Sequence, residues 1–209
     1  QSQAEIATIA DLRYNFRNKP IGQVLFCKTP WMVLIGFLSK HSEGEIKMGD
    51  KAERAKALFL EGYNCTQAVV GAFAEEIGMD FDTAVRLASG FGGGMGRLRQ
   101  VCGTVSGMVF VASAKLGYTD PKAKVEKKEL YQEIQRLAEC FRKENGSIVC
   151  AELLAGVKDA DNSPVPSERT AEYYKKRPCA ELCRCAADIL EGYLIEQGVL
   201  SAQDTEEKQ

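Results

Sequence analysis

From Asp50 onward, apolar residues recur every three or four positions and never alternate as a half-buried strand would, so the chain is expected to be helical. Ala52, Ala55, Leu58 and Phe59 form one stripe. Ala68, Val69, Ala72, Phe73 and Ile77 form a second, with Asn64 at the N-cap and Gly78 as the stop. Asp80 is placed to cap a short helix through Ala88. Residues 101 to 116 read as a buried helix ended by Gly117. Asp120 and Pro121 read as the N-cap and first residue of a long helix that Gly146 stops. A short helix is expected from Cys150 to Leu154, before the loop GVKDADNSPVPSE, and a last helix from Pro178 carries Leu182, Ala186, Ile189, Leu190 and Leu194. The pattern predicts an all-α, compact multi-helix bundle with cysteines at helix N-termini.

The segment before this pattern reads differently. Residues 1 to 47 hold short apolar pieces, Pro20 and Pro30, with no sustained period. They are expected to be an N-terminal extension, non-native or poorly ordered, with the native start at Met48. The helical domain is expected over residues 48 to 198, and residues 199 to 209 form a polar tail. The apolar run from Trp31 to Leu38 is far short of the roughly 20 residues a bilayer span needs. No membrane insertion is expected. A net charge of −2 offers no whole-chain attraction to nucleic acid, so no nucleic-acid partner is expected either.

Eight cysteines, at positions 27, 65, 102, 140, 150, 179, 183 and 185, are many for a chain with no recognisable secretory signal. The protein is expected to be cytoplasmic, where structural disulfides are uncommon. Four thiols share a position. Cys65 follows the cap Asn64, Cys102 opens the helix after a glycine-rich stretch, Cys150 follows the Gly146 break, and Cys179 follows Pro178. A helix N-terminus offers unpaired N–H groups and the positive end of the dipole, which favour thiolate over thiol. Arg97, Arg99, Lys175, Lys176 and Arg177 lie near enough in sequence to favour an anion further. Four such positions on four helices suggest convergence on one site. Cys140 falls mid-helix and reads as a packing thiol.

The stretch GFGGGMGRLRQVCGTVSG, residues 90 to 107, matches neither phosphate fingerprint. No nucleotide is expected. Its glycines are read instead as supplying positive-φ turns and close approach, with Gly103 and Gly107 forming a flat helix face. The single histidine, His41, lies in the N-terminal segment, which removes Cys-His and Ser-His pairs from the helical region. Glu75, Glu76, Glu126 and Glu129 are expected on solvated helix faces, as is the basic stretch Lys175 to Arg177.

These residues carry a resemblance. LFLEGYNCTQAVV around Cys65, GFGGGMGRLRQVCGTVSG around Cys102, FRKENGSIVCAELL around Cys150 and KKRPCAELCRCAADIL around Cys179 resemble, in order and approximate spacing, the redox-active family named for its C-GCAxxG-C-C pattern. The resemblance covers residues 50 to 195. It implies a small helical protein with four characteristic cysteines and a redox or metal-binding role. A similar domain accompanies haem in split-Soret-type cytochromes, which makes an iron–sulfur cluster a candidate. Cys-x-x-Cys-His is absent, so covalent haem is not implied. Thr66 and Thr104 stand where the family usually has alanine. Cys183 and Cys185 add to the pattern: Cys183 lies one helical turn beyond Cys179 on the same face, whereas Cys185 points away.

Three functions remain open on the sequence. Cys65, Cys102, Cys150 and Cys179 could ligate an iron–sulfur cluster or zinc for electron transfer with an unknown redox partner. They could instead exchange disulfides without metal, although no C-x-x-C motif is present. They could also be buried packing residues of a structural or interaction protein.

Overall fold

A computed structural model describes residues 50 to 157 and 163 to 200. Among these, eight α-helices occur: α1 (Asp50–Leu60), α2 (Cys65–Ala72), α3 (Phe81–Ala88), α4 (Gly103–Leu116), α5 (Lys124–Asn145), α6 (Cys150–Leu153), α7 (Ala171–Lys176) and α8 (Cys179–Glu196). No strand ladder occurs among the described residues; one isolated antiparallel bridge joins Val101 to Val149. The fold is all-α. The extension, Trp31, His41 and the positions from 201 onward lie outside the described residues.

Helix α2 sits at the centre, against α1, α3, α4 and α8, while α5 closes the far side on α4 and α8. Leu58, Val69, Phe73, Met108, Phe141, Leu190 and Leu194 form the core between them. The local signals act as the sequence implies. The Asn64 side chain accepts the N–H groups of Thr66 and Gln67, and Gln67 returns a bond to the Asn64 N–H, completing a capping box. Asp80 accepts the Thr83 N–H, and Gly146 ends α5 at φ +84°.

Two boundaries and one whole helix differ from the sequence reading. Helix α5 begins at Lys124 rather than Pro121, because the Asp120 carboxylate accepts the Lys122 N–H at 2.8 Å and closes a local turn first. Helix α2 ends at Ala72 rather than near Ile77, its last bonds tightening to three-residue spacing (Phe73 N–H to the Val70 carbonyl). Helix α7 carries no buried residue and hence no apolar stripe to announce it; Thr170 caps it through the Tyr173 N–H.

No helix among the described residues is long and apolar enough to cross a membrane.

Candidate functional site

The four cysteines start four helices. Cys65, Cys150 and Cys179 are the first residues of α2, α6 and α8, and Cys102 is the N-cap of α4. All four line one cavity of about 280 Å³.

Two devices of the backbone bring them there. The segment before α4 runs antiparallel to the segment before α6: the Cys102 N–H donates to the Ile148 carbonyl at 2.8 Å, and the Cys150 N–H donates to the Gln100 carbonyl at 2.7 Å. This pairing sets two helix starts side by side. The second device is the glycine stretch. Gly93, Gly94, Met95, Gly96 and Arg97 follow one another at φ between +54° and +73°, forming a left-handed turn. The turn lies over the thiols: the Gly93 N–H donates to Cys65 Sγ at 3.5 Å, and a Cβ on Gly94 would stand 2.7 Å from the Cys150 Cβ. Glycine relieves the strain at three of these positions.

Gly103 and Gly107 form the flat face expected of them. A Cβ on Gly103 would lie 2.4 Å from Cys65 Sγ, and one on Gly107 2.8 Å from the Val69 Cβ, so α4 meets α2 at backbone distance. The same contact buries Thr66 and Thr104 completely, with Thr104 Oγ1 3.1 Å from Cys102 Sγ. Cys183 is buried one turn below Cys179, its thiol donating to the Cys65 carbonyl at 3.8 Å. Cys140 and Cys185 are half-buried and stand outside the cavity lining; Cys185 Sγ accepts from Asn145.

Burial governs the protonation of these thiols. Removal from water pushes Cys65, Cys102 and Cys183 above the ordinary thiol value, and Cys179 up to about 12. Neighbouring sulfurs add to the rise at Cys102, Cys179 and Cys183, whereas the Gly93 N–H opposes it at Cys65. The thiolates expected from helix N-termini are therefore not the resting form of Cys65, Cys102 and Cys179, because desolvation outweighs the helix end.

Four arginines share the cavity: Arg97, Arg99, Arg169 and Arg177. None of its described lining residues is a carboxylate, lysine or histidine. Arg99 and Arg177 are only 6% and 8% exposed. Arg99 approaches Cys150 Sγ at 3.9 Å. The basic stretch thus divides: Lys175 and Lys176 are exposed as expected, whereas Arg177 turns inward and stacks on Tyr173, 4.6 Å from its ring centre. Sequence reasoning missed Arg169 and Tyr173 altogether. Arg169 lies in a loop without periodicity, and only tertiary contacts mark it: its guanidinium donates to the Phe59 and Tyr63 carbonyls, both at 3.3 Å. Of the four glutamates, Glu75 is exposed, Glu76, Glu126 and Glu129 are half-buried, and Glu76 pairs with Lys51; none lines the cavity.

Among the described residues, no three Cys, His, Asp or Glu side chains converge closely enough to hold a single metal ion. The four thiols are arranged around a space.

In this helical bundle the four helix-starting cysteines line one cavity together with four arginines. The chain belongs to the family described as "putative redox-active protein (C_GCAxxG_C_C)", whose model matches residues 63–193. No curated protein and no solved structure matches it.

Proposed function

We propose that this redox-family protein holds an iron–sulfur cluster through Cys65, Cys102, Cys150 and Cys179 and works as an electron carrier or oxidoreductase. The observation that carries the reading is the cavity itself: four thiols from four helix starts face a common space with four guanidinium groups around it. The donor set is all sulfur, which suits a cluster or zinc. A single zinc ion draws its sulfurs to about 2.3 Å from one centre, and no described trio converges in that way. A polynuclear cluster takes cysteine ligands that stand apart around a space, as these four do around the cavity.

The cluster, when bound, would supply one-electron transfer. The chain supplies the rest. Buried thiols must lose protons to ligate, so loading releases protons and is favoured by rising pH. The arginines offset the negative charge of the thiolates, and Phe59, Leu153, Leu154 and Leu182 limit water around them. The cysteines of the site are thiols rather than disulfides, which suits a reducing compartment such as the cytoplasm.

Metal-free dithiol exchange has less support, because thiols raised by burial are poor nucleophiles at neutral pH. The test is anaerobic purification of the full chain with iron, sulfide and zinc analysis and an absorption spectrum, beside a variant with all four cysteines changed to Ser. Stoichiometric iron and sulfide that vanish in the variant are expected. Zinc alone would replace the cluster with a single ion; metal-free protein with a reducible disulfide would favour exchange, and four inert thiols would leave a structural role.

A further inference from the structure

We propose that Thr104 is a positioning residue of the thiol site: its hydroxyl donates to the Cys102 sulfur when that sulfur ligates, and so raises the reduction potential of the bound group. The inference rests on the cluster reading and adds to it a residue that sets the redox poise.

Thr104 is the second residue of α4, two positions after Cys102 at the N-cap. It is fully buried, lines the same cavity as the four cysteines, and holds its Oγ1 3.1 Å from Cys102 Sγ. A threonine deeper in a helix can bond the carbonyl three or four residues back. Here those carbonyls belong to Val101 and Gln100, which precede the helix, and that of Gln100 accepts the Cys150 N–H at 2.7 Å. Among the described residues, the hydrogen-bond partner of the Thr104 hydroxyl is the Cys102 sulfur.

While Cys102 keeps its proton, either atom can donate in this pair. A ligating sulfur has lost that proton, so the hydroxyl becomes the donor and the sulfur its acceptor. Hydrogen bonds strengthen with the negative charge on the acceptor. Reduction adds negative charge to the ligand sulfurs, so the Thr104 bond stabilises the reduced state more than the oxidised one, and the potential rises. Thr66 provides the comparison. It is also fully buried where α4 meets α2, but its Oγ1 has no hydrogen-bond partner among the described residues and it stands outside the cavity lining.

The test is a redox titration of the full chain loaded anaerobically with iron and sulfide, comparing wild type with Thr104→Val, Thr104→Ser and Thr66→Val. Thr104→Val keeps the shape and removes the hydroxyl. It should lose about tenfold in preference for the reduced state, a fall of about 59 mV for a one-electron couple. Thr104→Ser should hold the wild-type potential, and so should Thr66→Val; Thr104→Ala serves if the valine variant fails to fold. A second arm uses the reduced, metal-free chain. The loss of urea midpoint caused by Thr104→Val should be larger in wild type than in a Cys102→Ala background, and equal losses overturn the pairing. Loaded Thr104→Val with an unchanged potential, or an equal fall in Thr66→Val, overturns the tuning alone. A wild-type chain that takes up no iron and sulfide overturns the cluster reading and the tuning with it.

Discussion

Replacing Gly103 with alanine places a Cβ 2.4 Å from Cys65 Sγ and 2.6 Å from Thr66 Oγ1, with the Phe91 carbonyl oxygen 3.2 Å away. Real Cβ atoms do not approach other atoms within 3.0 Å, so α4 must withdraw from α2 or Cys65 must rotate. Overpacking of this kind costs about 1–3 kcal/mol. Alanine repays at most about 1 kcal/mol through helix propensity, and less at the first helical position, so the steric cost wins. Gly192 is the matched control. It also sits in a helix, but a Cβ there meets nothing within 4 Å, and Gly192→Ala should gain up to about 1 kcal/mol. Urea unfolding followed by circular dichroism reads both. With a slope of about 2 kcal/mol per molar, Gly103→Ala should lower the midpoint by roughly 0.5–1 M while Gly192→Ala raises it. Gly103→Ala should also perturb Cys65, read as reduced iron and sulfide content in protein loaded anaerobically. A Gly103→Ala protein as stable as wild type, with unchanged loading, would refute the close packing of α4 on the thiol.

Asn64→Ala removes two capping bonds and the amide bond to the Ser89 carbonyl and should cost about 1–2 kcal/mol, checked by the same unfolding assay. The Asp80 carboxyl is lowered by the Thr83 backbone bond. Its contribution is therefore present above the unfolded value of about 3.9 and is lost as pH falls through the lower folded value; the midpoint gap between wild type and Asp80→Ala should be open at pH 7 and narrow at pH 3. Cys179 carries the opposite sign. Burial raises it to about 12, so in metal-free protein it stays protonated where the unfolded thiol, near 8.5, ionises; stability should fall from about pH 8.5 toward 12, more steeply in wild type than in Cys179→Ser. Parallel pH profiles for these two proteins would contradict the burial of that thiol.

Much of the helical skeleton can be read locally. Asn64, Asp80, Gly117 and Gly146 act through bonds to residues a few positions away, so their roles survive without tertiary context. The same holds for the cysteines: a thiol after a cap or a break starts a helix wherever the chain folds. Helix α7 escaped that reading because it buries no stripe, and α5 starts late because Asp120 bonds its own turn.

The surroundings of the thiols depend on residues far apart in sequence. Arg169 reaches Phe59, 110 positions away, and no periodicity could connect them. Arg177 resembles the exposed lysines beside it until Tyr173 draws it inward. Protonation is also a tertiary matter. A helix start favours thiolate by a local field, but the cost of removing charge from water depends on everything packed around it, and at Cys65, Cys102 and Cys179 that cost is the larger. Capping and periodicity are short-range, so every helix but α7, and the cysteines that begin four of them, can be read from nearby residues. That those four thiols share a cavity with four arginines follows from burial and charge convergence, which are sums over distant segments.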